Sequence, residues 1–281
     1  MPAFEKTRGI IDCKSWGSVD FASLRVHVLI LERGAATCLE RFPLIQGNRM
    51  RRYDSLQQIC DAVKSCHKLS HVHGDIKPEN IVCIDTPYPM LKLIDFDNAT
   101  PLGQNMLKHC TPENCPPEMA AFILGHTTGP VVAHTSFDVW CAAVLTLKIF
   151  FKGDQLLEFM HLSEHDDILR VIAHPDFSFQ RSLEETNLKP VQRERLAKCL
   201  EVDPARRGTL GDLLAIIPVT ENENSRDLAS VTSQLNQMNR NFGELSFNVE
   251  SSRVIVEQSY EAITATLAKV LETKEDLMRA I

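Results

Sequence analysis

Apolar residues in the first part of the chain form short runs that are typical of strands. Residues 26–31 make a mostly apolar run that predicts a strand, and residues 10–13 are predicted to pair with it as a hairpin. Two further apolar runs, at 81–83 and 91–94, flank a proline-containing turn at 85–89. This second arrangement predicts a hairpin near the middle of the domain.

Helical spacing dominates the rest of this region. A helix is predicted from Thr37 onward, after a turn at 33–34. A second, amphipathic helix is predicted from the spacing of Leu56, Ile59, Val63 and Cys66. Residues 138–151 are apolar on most faces of a helix, which indicates that this helix is buried.

The composition changes near residue 219, and residues 227–281 show a different pattern. Apolar residues recur there at alternating spacings of three and four: Leu228, Val231, Leu235, Met238, Phe242, Leu245 and Val249. Such a seam predicts an amphipathic, coiled-coil-like helical tail that self-associates or docks back on the first domain. The polar residues 219–226 are predicted to be a linker.

Composition and charge narrow the class of protein. The 30 basic and 37 acidic residues give a net charge of −7, so we expect neither nucleic acid nor a membrane surface as a partner. The longest apolar run, 139–147, is too short to span a bilayer. The nine cysteines form no C-x-x-C pair, and no secretory signal precedes them. We therefore expect reduced thiols, most of them in the core, and a cytoplasmic protein, with the nucleus as an alternative.

The residue types at 73–80 (HGDIKPEN) and 95–97 (DFD) suggest a particular chemistry. Phosphoryl transfer needs a carboxylate to orient the attacking hydroxyl, a cation for the phosphate and oxygen ligands for Mg²⁺. These two segments contain all of those groups on either side of the second predicted hairpin. Taken alone, the same aspartate and asparagine side chains could simply satisfy backbone groups of turns.

Further segments, spaced as in one known family, favour the phosphoryl-transfer interpretation over simple turn formation. Residues 110–118 (CTPENCPPE) are similar to the end of a kinase activation segment, and residues 203–207 (DPARR) match D-P-x-x-R. His67 and the Asp-Val-Trp sequence at 138–140 also keep the spacing of that family. The chain thus resembles a eukaryotic-type protein kinase domain of the Ser/Thr class over roughly residues 9–217.

This resemblance implies roles for the residues of the two chemical segments. Asp75 would be the catalytic base and Lys77 the partner of the γ-phosphate of ATP. Asn80 and Asp95 would be the Mg²⁺ ligands. The implied function is ATP-dependent phosphoryl transfer to a serine or threonine hydroxyl of a protein substrate.

The resemblance also assigns the remaining site residues. Residues 29–34 resemble the last small-lobe strand and the hinge, with Leu31 as gatekeeper and backbone groups of Glu32 and Gly34 facing adenine. Arg207 would form a buried, bidentate ion pair with Glu118. Two other residues complete the set: Thr111 of the substrate-facing loop and Asp138 at the start of the buried helix.

The implied fold is α+β and mainly α. Residues 1–34 would be a remnant small lobe with its hinge, and residues 35–218 the large lobe. A G-x-G-x-x-G loop and a strand like V-A-I-K are absent from the sequence, and Lys6 and Lys14 are poor substitutes for the lysine of that strand. The chain is accordingly expected to be an incomplete product or a degenerate kinase whose own activity is in doubt.

Two substitutions and two alternatives qualify this assignment. Gly74 replaces the arginine that precedes the base, so control through activation-loop phosphate is not expected. Asp97 replaces the glycine of D-F-G, which is expected to restrict movement of that loop. H-G-D followed by I-D-F-D also resembles aminoglycoside and choline kinases, whose substrates are small molecules. The remaining alternative is a pseudokinase that acts as a scaffold through its tail.

Overall fold

The computed structural model describes most of the first 218 residues: 9–21, 24–84 and 90–218. The chain divides into two compact units, residues 1–218 and 219–281, and every described residue belongs to the first unit. Three sequence predictions lie outside the described residues: the turn at 85–89, the linker at 219–226 and the helical tail at 227–281. None of the described helices combines the length and apolar character that a membrane crossing requires.

Five of the seven strands in the described residues have four residues or fewer, and the strands pair in antiparallel fashion. In chain order, those of the described residues are β1 (Cys13–Phe21), β2 (Leu24–Leu31), β3 (Ala36–Thr37), β4 (His71–Val72), β5 (Ile81–Ile84), β6 (Met90–Leu93) and β7 (Thr100–Pro101). β1 pairs with β2, β4 pairs with β7, and β3, β5 and β6 form a three-stranded sheet in that order. The mixed α and β content agrees with the predicted α+β class.

The helices account for most of the ordered structure. Those of the described residues are α1 (Cys38–Gln46), α2 (Arg49–Lys68), α3 (Pro117–Ile123), α4 (Thr135–Phe150), α5 (His165–Ile172), α6 (Gln180–Glu184), α7 (Pro190–Cys199) and α8 (Leu210–Leu214). Two single turns of 3₁₀ helix, Pro78–Asn80 and Pro112–Asn114, lie in the chemical segments singled out from the sequence.

One predicted hairpin is confirmed and the other has a different partner. β5 and β6 pair with Ile81 opposite Leu93, as the two apolar runs predicted. The predicted strand at 26–31 lies in β2, but of residues 10–13 only Cys13 pairs with it, opposite Leu31, so most of the predicted pairing is wrong. β2 pairs with β1 instead, whereas Ile10 forms a parallel bridge with Leu93. Pairing across the short connection from β1 to β2 closes a smaller loop, which costs less chain entropy.

The two helices that position the site begin with side-chain caps. At α1, the Thr37 hydroxyl accepts a hydrogen bond from the Glu40 N–H (3.3 Å), and the Glu40 carboxylate accepts one from the Thr37 N–H (2.6 Å). This reciprocal pair is the capping box that the sequence at Thr37 favours. At α4, the His134 ring nitrogen accepts from the Ser136 N–H at 3.2 Å, so this helix begins three residues before Asp138.

The core of the described domain forms around α4. Almost every residue of this helix is buried, as its uniformly apolar sequence predicted. Trp140 packs against Phe179 with ring centroids 5.8 Å apart, and Phe177 and Phe179 meet edge to face at 4.8 Å. On the neighbouring α2, the predicted face of Leu56, Ile59, Val63 and Cys66 is also buried. α4 therefore provides a rigid base for the residues of its first turn.

Most cysteines are small core residues, as predicted. Seven of them are buried: Cys38, Cys60, Cys66, Cys83, Cys115, Cys141 and Cys199. Burial disfavours the thiolate and raises the pKa of Cys38 to about 12. The prediction of reduced thiols throughout is wrong for one pair, because Cys110 and Cys115 form a disulfide.

Candidate active site

Asp75 lies at the centre of the candidate site, in the segment between β4 and β5. Its carboxylate is almost completely buried and accepts three side-chain hydrogen bonds. Lys77 Nζ donates to Oδ2 at 2.6 Å, and Asn80 Nδ2 donates to the same oxygen at 3.0 Å. The Thr111 hydroxyl donates to Oδ1 at 2.8 Å. The structure therefore brings together four of the residues that the sequence singled out.

Asn80 and Lys77 each tie a second group to this centre. Asn80 Nδ2 also donates to the backbone oxygen of Asp75 at 2.9 Å, which closes the turn between the two residues. Lys77 Nζ also donates to the Thr111 hydroxyl at 2.9 Å. The lysine thus bridges the Asp75 segment and the loop that carries Thr111.

Asp138 binds the backbone of the residues directly before Asp75. Its fully buried carboxylate accepts hydrogen bonds from the N–H groups of His73 (2.8 Å) and Gly74 (3.0 Å). The ring of His67 contributes a third contact, with Nε2 2.9 Å from Oδ2 of Asp138. Because Asp138 lies in the first turn of the buried helix α4, the peptide before Asp75 is tied to the rigid core. The spacing of His67 was noted in the sequence, but this contact was not predicted.

Gly74 has a backbone conformation that favours glycine. Its φ is +80°, and a Cβ atom at this position would lie 2.8 Å from the backbone oxygen of Asn98. Any larger residue would have to displace that backbone. Glycine, in place of the arginine of the family motif, therefore allows the backbone at Gly74 to lie close to the backbone at Asn98.

Asp95 follows β6 and faces solvent. Its φ of +62° is unusual for a residue other than glycine. Phe96 packs on the ring of His73, with centroids 4.9 Å apart, and His73 Nε2 lies 3.0 Å from the backbone oxygen of Ile94. These contacts fix the segment on either side of Asp95. Asp97 is exposed in the turn that follows, closed by a hydrogen bond from the Ala99 N–H to the Phe96 oxygen (3.0 Å).

The donor set near Asp95 and Asn80 fits Mg²⁺. A carboxylate and an amide oxygen are hard ligands of the kind that Mg²⁺ prefers. Asn80 donates both of its hydrogen bonds to Asp75 through Nδ2, so its amide oxygen takes no part in these two bonds. Within the described residues, no cluster of three or more His, Cys, Asp or Glu side chains could hold a metal alone. A Mg²⁺ ion here would therefore complete its coordination with oxygens of water and of a nucleotide phosphate.

The predicted hinge residues lie next to β5 and β6: Glu32 contacts Lys92 of β6, and Gly34 contacts Val82 of β5. The Glu32 carboxylate accepts from Lys92 Nζ and from the Asp12 N–H (3.0 Å), and Lys92 Nζ also lies 3.5 Å from the Asp12 carboxylate. The Glu32 N–H donates to the Asp12 oxygen at 2.9 Å. Gly34 lies against Val82, where a Cβ would be 2.9 Å from the valine Cβ. The Lys92 ion pair was missed, and a lysine inside an apolar strand was the only signal for it.

Leu31, the predicted gatekeeper, ends an exposed hairpin. Its side chain is 43 % exposed, and Trp16 and Leu29 of the same hairpin are 64 % and 66 % exposed. The hairpin of β1 and β2 thus leaves apolar side chains in solvent along its length. No contact joins Leu31, Glu32 or Gly34 to Asp75 among the described residues.

Glu118 and Arg207 form a bidentate ion pair. Arg207 Nη1 donates to Oε1 of Glu118 at 2.9 Å, and Nη2 donates to Oε2 at 2.8 Å. The guanidinium also donates to three backbone oxygens and lies over the Trp140 ring at 5.0 Å. The pair therefore links the start of α3 to the core.

The loop that carries Thr111 is held by contacts on its downstream side and by a disulfide. On its downstream side, Glu113 pairs with Lys148 at 2.7 Å, and the backbone oxygen of Asn114 accepts from the Cys141 thiol at 3.4 Å. The Cys110–Cys115 disulfide spans Thr111 itself. The sequence placed both cysteines in this loop but did not predict their bond.

Comparison with known proteins identifies the class of this fold and site. The family model for the protein kinase domain matches residues 27–216, more than half of the chain, and the chain belongs to this family. Human myosin light chain kinase 2, skeletal/cardiac muscle, is 37 % identical over 107 residues, which are 35 % of this chain and 17 % of the relative. Mouse serine/threonine-protein kinase DCLK2 is 28 % identical over 193 residues, 64 % of this chain and 23 % of the relative.

A third relative, mouse myosin light chain kinase family member 4, is 30 % identical over 107 residues, 35 % of this chain and 26 % of the relative. The chain thus spans about a quarter or less of the length of these relatives. All three are kinases by name, and DCLK2 is named as a serine/threonine kinase, which supports assignment as a kinase at distant identity.

Proposed function

We propose that this protein transfers the γ-phosphoryl group of ATP to a serine or threonine hydroxyl of a protein. The observation that carries the proposal is the arrangement at Asp75, whose carboxylate binds Lys77, Asn80 and Thr111. Lys77, Asn80 and Thr111 each lie in a segment that resembles the corresponding motif of protein kinases. The names of the similar kinases support the same reaction.

The hydrogen bonds at Asp75 leave space for the acceptor hydroxyl. An ionised carboxylate has about four acceptor sites. Lys77 and Asn80 occupy Oδ2, whereas Oδ1 accepts only from Thr111 among the described side chains. An incoming serine or threonine would therefore donate its proton to Oδ1, directly beside the Thr111 hydroxyl. In this position Asp75 orients the hydroxyl and accepts its proton during transfer.

Lys77 has one donor left for the phosphate. An ammonium group has three N–H donors, and two of them bind Asp75 and Thr111. The third would bind an oxygen of the γ-phosphoryl group and stabilise the charge that develops there. Its bonds to Asp75 and Thr111 hold Lys77 next to the acceptor hydroxyl, so one side chain positions both reactants.

The nucleotide would lie between the hinge and Asp95. We assign adenine contacts to backbone groups of Glu32 and Gly34 and an apolar contact to Leu31. Asp95 and the amide oxygen of Asn80 would hold Mg²⁺, which neutralises phosphate charge when it is bound. The Glu32 side chain is engaged with Lys92, so only backbone groups of Glu32 are assigned to adenine.

The tail is proposed to provide a second function. The apolar seam from Leu228 to Val249 would leave large side chains in water if the helix were alone, at a cost of about 1.5 to 3 kcal/mol each. We propose that residues 227–281 bind a second copy of the chain through this seam. The net charge of the whole chain, −7, favours neither a nucleic acid nor an anionic membrane as the partner.

The reaction is tested with the full chain, ATP labelled at its γ-phosphorus and Mg²⁺. Three kinds of acceptor are offered in parallel: a degenerate serine and threonine peptide mixture, an aminoglycoside, and choline. We expect label in the peptides, on serine or threonine, and we expect Asp75→Asn to abolish it while the melting temperature is preserved. Label in the aminoglycoside or in choline alone would overturn the protein substrate. Nucleotide binding without any transfer would favour the scaffold alternative.

A further inference from the structure

A disulfide encloses the residue that binds the candidate base. Cys110 and Cys115 are bonded, with Cα atoms 5.5 Å apart, and Thr111 lies immediately after the first of them. The Thr111 hydroxyl donates to Asp75 Oδ1 at 2.8 Å and accepts from Lys77 Nζ at 2.9 Å. The position of this hydroxyl therefore depends on a loop that a covalent bond closes.

The two cysteines differ in their surroundings. Cys115 is fully buried and comes just before α3, the helix that carries Glu118. Cys110 is partly exposed and follows three exposed residues, 107–109. The contacts of this upstream stretch are slight: His109 N–H donates to the Leu107 oxygen at 2.8 Å, and Lys108 Nζ lies 5.1 Å from the Phe122 ring centroid. Upstream, the core next holds the chain at the buried Met106, whose N–H donates to the Val131 oxygen at 2.8 Å; between Met106 and Thr111 the disulfide is the strongest link to the core.

We propose that Cys110 and Cys115 form a reversible redox site that controls the position of Thr111. In the disulfide form, Thr111 is held between Asp75 and Lys77. In the dithiol form, residues 107–111 lose the disulfide link to Cys115, and the Thr111 hydroxyl is held only by its own hydrogen bonds. The effect on phosphoryl transfer rests on the proposed function, whereas the effect on the loop does not.

The reductant would be a small monothiol of the glutathione class. Its thiolate attacks the partly exposed Cys110 sulfur, forms a mixed disulfide there and releases Cys115 as a thiolate, which takes a proton from water. A second thiolate attacks the mixed disulfide and releases Cys110, which is protonated in turn. Two electrons pass from the two small thiols to the protein, and the small disulfide is the other product. The oxidised small molecule drives the reverse reaction.

The size of the ring indicates a local rather than a global role. A disulfide stabilises a fold mainly by closing a loop in the unfolded chain, and a ring of six residues from Cys110 to Cys115 closes a very small one. The main effect of reduction is therefore expected in the loop itself. The melting temperature of the domain should fall by only a few degrees.

The first test measures the redox equilibrium in the full chain. The protein is equilibrated with glutathione buffers of increasing oxidised fraction, its thiols are alkylated, and peptides are analysed by mass spectrometry. We expect Cys110 and Cys115 to gain and lose their labels together, while Cys60 and Cys199 stay labelled throughout. A pair that stays reduced in every buffer, or that is never reduced, would overturn the proposal. So would mixed disulfides with glutathione in place of the Cys110–Cys115 bond.

The second test measures the loop. Trypsin cleavage after Lys108 is followed in the native protein, with cleavage after the exposed Lys152 as the internal reference. We expect cleavage at Lys108 to be at least about tenfold faster in the dithiol form and in Cys110→Ser. Cys13→Ser removes an exposed cysteine of β1 and is the matched control, for which we expect the wild-type rate in each form. Equal rates at Lys108 in both redox forms would show that the disulfide does not control the loop.

The third measurement separates this proposal from the proposed function. Transfer to peptides is compared in the two redox forms, and we expect a several-fold lower rate in the dithiol form and in Cys110→Ser. If neither form transfers phosphate, the proposed function fails, and the redox equilibrium and the cleavage rates still decide the present proposal. An equal transfer rate in both forms would overturn the link between Thr111 and the reaction.

Discussion

Glu118 receives two parallel hydrogen bonds from Arg207, which lies 89 residues further along the chain. The Arg207 side chain is fully buried, whereas Glu118 keeps 20 % of its side-chain surface exposed. A buried ion pair adds little net stability, because the cost of desolvating both charges offsets their attraction. Removing one partner is strongly destabilising, because the other charge is then buried without a partner. Whichever partner remains, including the mostly buried Glu118, would then lack its counter-charge in a region of low dielectric.

Replacement of Arg207 is expected to destabilise the domain strongly. Arg207→Ala removes the guanidinium and leaves Glu118 unpaired, with an expected loss of about 3 to 5 kcal/mol in the free energy of unfolding. The measurement is urea unfolding followed by circular dichroism. Arg206→Ala is the matched control, because Arg206 is 73 % exposed and lies 3.9 Å from Glu201. A loss within about 0.5 kcal/mol for both variants would contradict a structural role for the ion pair.

Replacement of Asp95 is expected to affect activity without affecting the fold. Asp95→Asn keeps the size of the side chain but removes the negative charge that would hold Mg²⁺. We expect peptide phosphorylation to fall by at least about a hundredfold while the melting temperature is retained. Asp97→Asn makes the same change two residues away, in an exposed turn, and should leave most of the activity. Undiminished turnover in Asp95→Asn would exclude Asp95 as a metal ligand.

The close approach at Gly74 predicts a difference between two glycines. Gly74 and Gly103 have nearly equal φ values, +80° and +82°, but only Gly74 has neighbours within 4 Å of the position that an added Cβ would occupy, the nearest being the Asn98 oxygen. Gly103→Ala should cost about 1 to 2 kcal/mol from backbone strain alone. Gly74→Ala should cost at least about 1 kcal/mol more, because backbone must move. Equal losses in thermal unfolding would show that the contact with Asn98 relaxes freely.

Asp212 predicts a pH dependence of stability. A hydrogen bond from Lys198, with further bonds from Thr209, lowers the pKa of Asp212 from 3.8 to about 2. Because the folded state has the lower pKa, the stabilisation is complete above the unfolded value of 3.8 and is lost as the pH falls towards 2. Asp212→Asn should cost about 0.5 to 1 kcal/mol at neutral pH, since the side chain is partly exposed.

The measurement is urea unfolding of wild type and Asp212→Asn from neutral pH down to pH 3. The difference between the two should shrink below the unfolded pKa of 3.8. Asp154→Asn, at an exposed aspartate after α4, should show no such difference. A gap between wild type and Asp212→Asn that is constant with pH would contradict the charge as its origin.

The seam in residues 227–281 predicts self-association of the full chain. Leu235→Asp combined with Leu245→Asp places two charges on the seam, so we expect sedimentation to change from a dimer or larger species to a monomer. Asn236→Asp combined with Ser246→Asp adds the same charge off the seam and should leave the assembly intact. A monomeric wild type at all concentrations would contradict self-association and favour docking of the tail on the first domain.

Local patterns predicted local elements well. The apolar runs around 85–89 predicted β5 and β6, because alternate residues of a hairpin face one core. The mostly apolar sequence after Asp138 predicted the buried helix α4, and the helix predicted from Thr37 is α1, which the structure shows capped by hydrogen bonds between Thr37 and Glu40. The predicted partner of β2 was mostly wrong because apolar character alone does not rank the possible pairings, and the pairing that forms is with β1, the strand next to it in the chain.

The sequence by itself determined the family, the chemical groups of the site and most element positions, because these depend on residue type and on spacing along the chain. Only the tertiary structure decided which groups meet. Asp138 binds the N–H groups of His73 and Gly74, which lie 65 and 64 residues earlier in the chain. Thr111 binds Asp75, which lies 36 residues earlier, and Cys110 forms a disulfide with Cys115 instead of staying reduced. The physical reason is that hydrogen bonds and disulfides act over a few ångströms, and only packing of the core brings distant segments within that range.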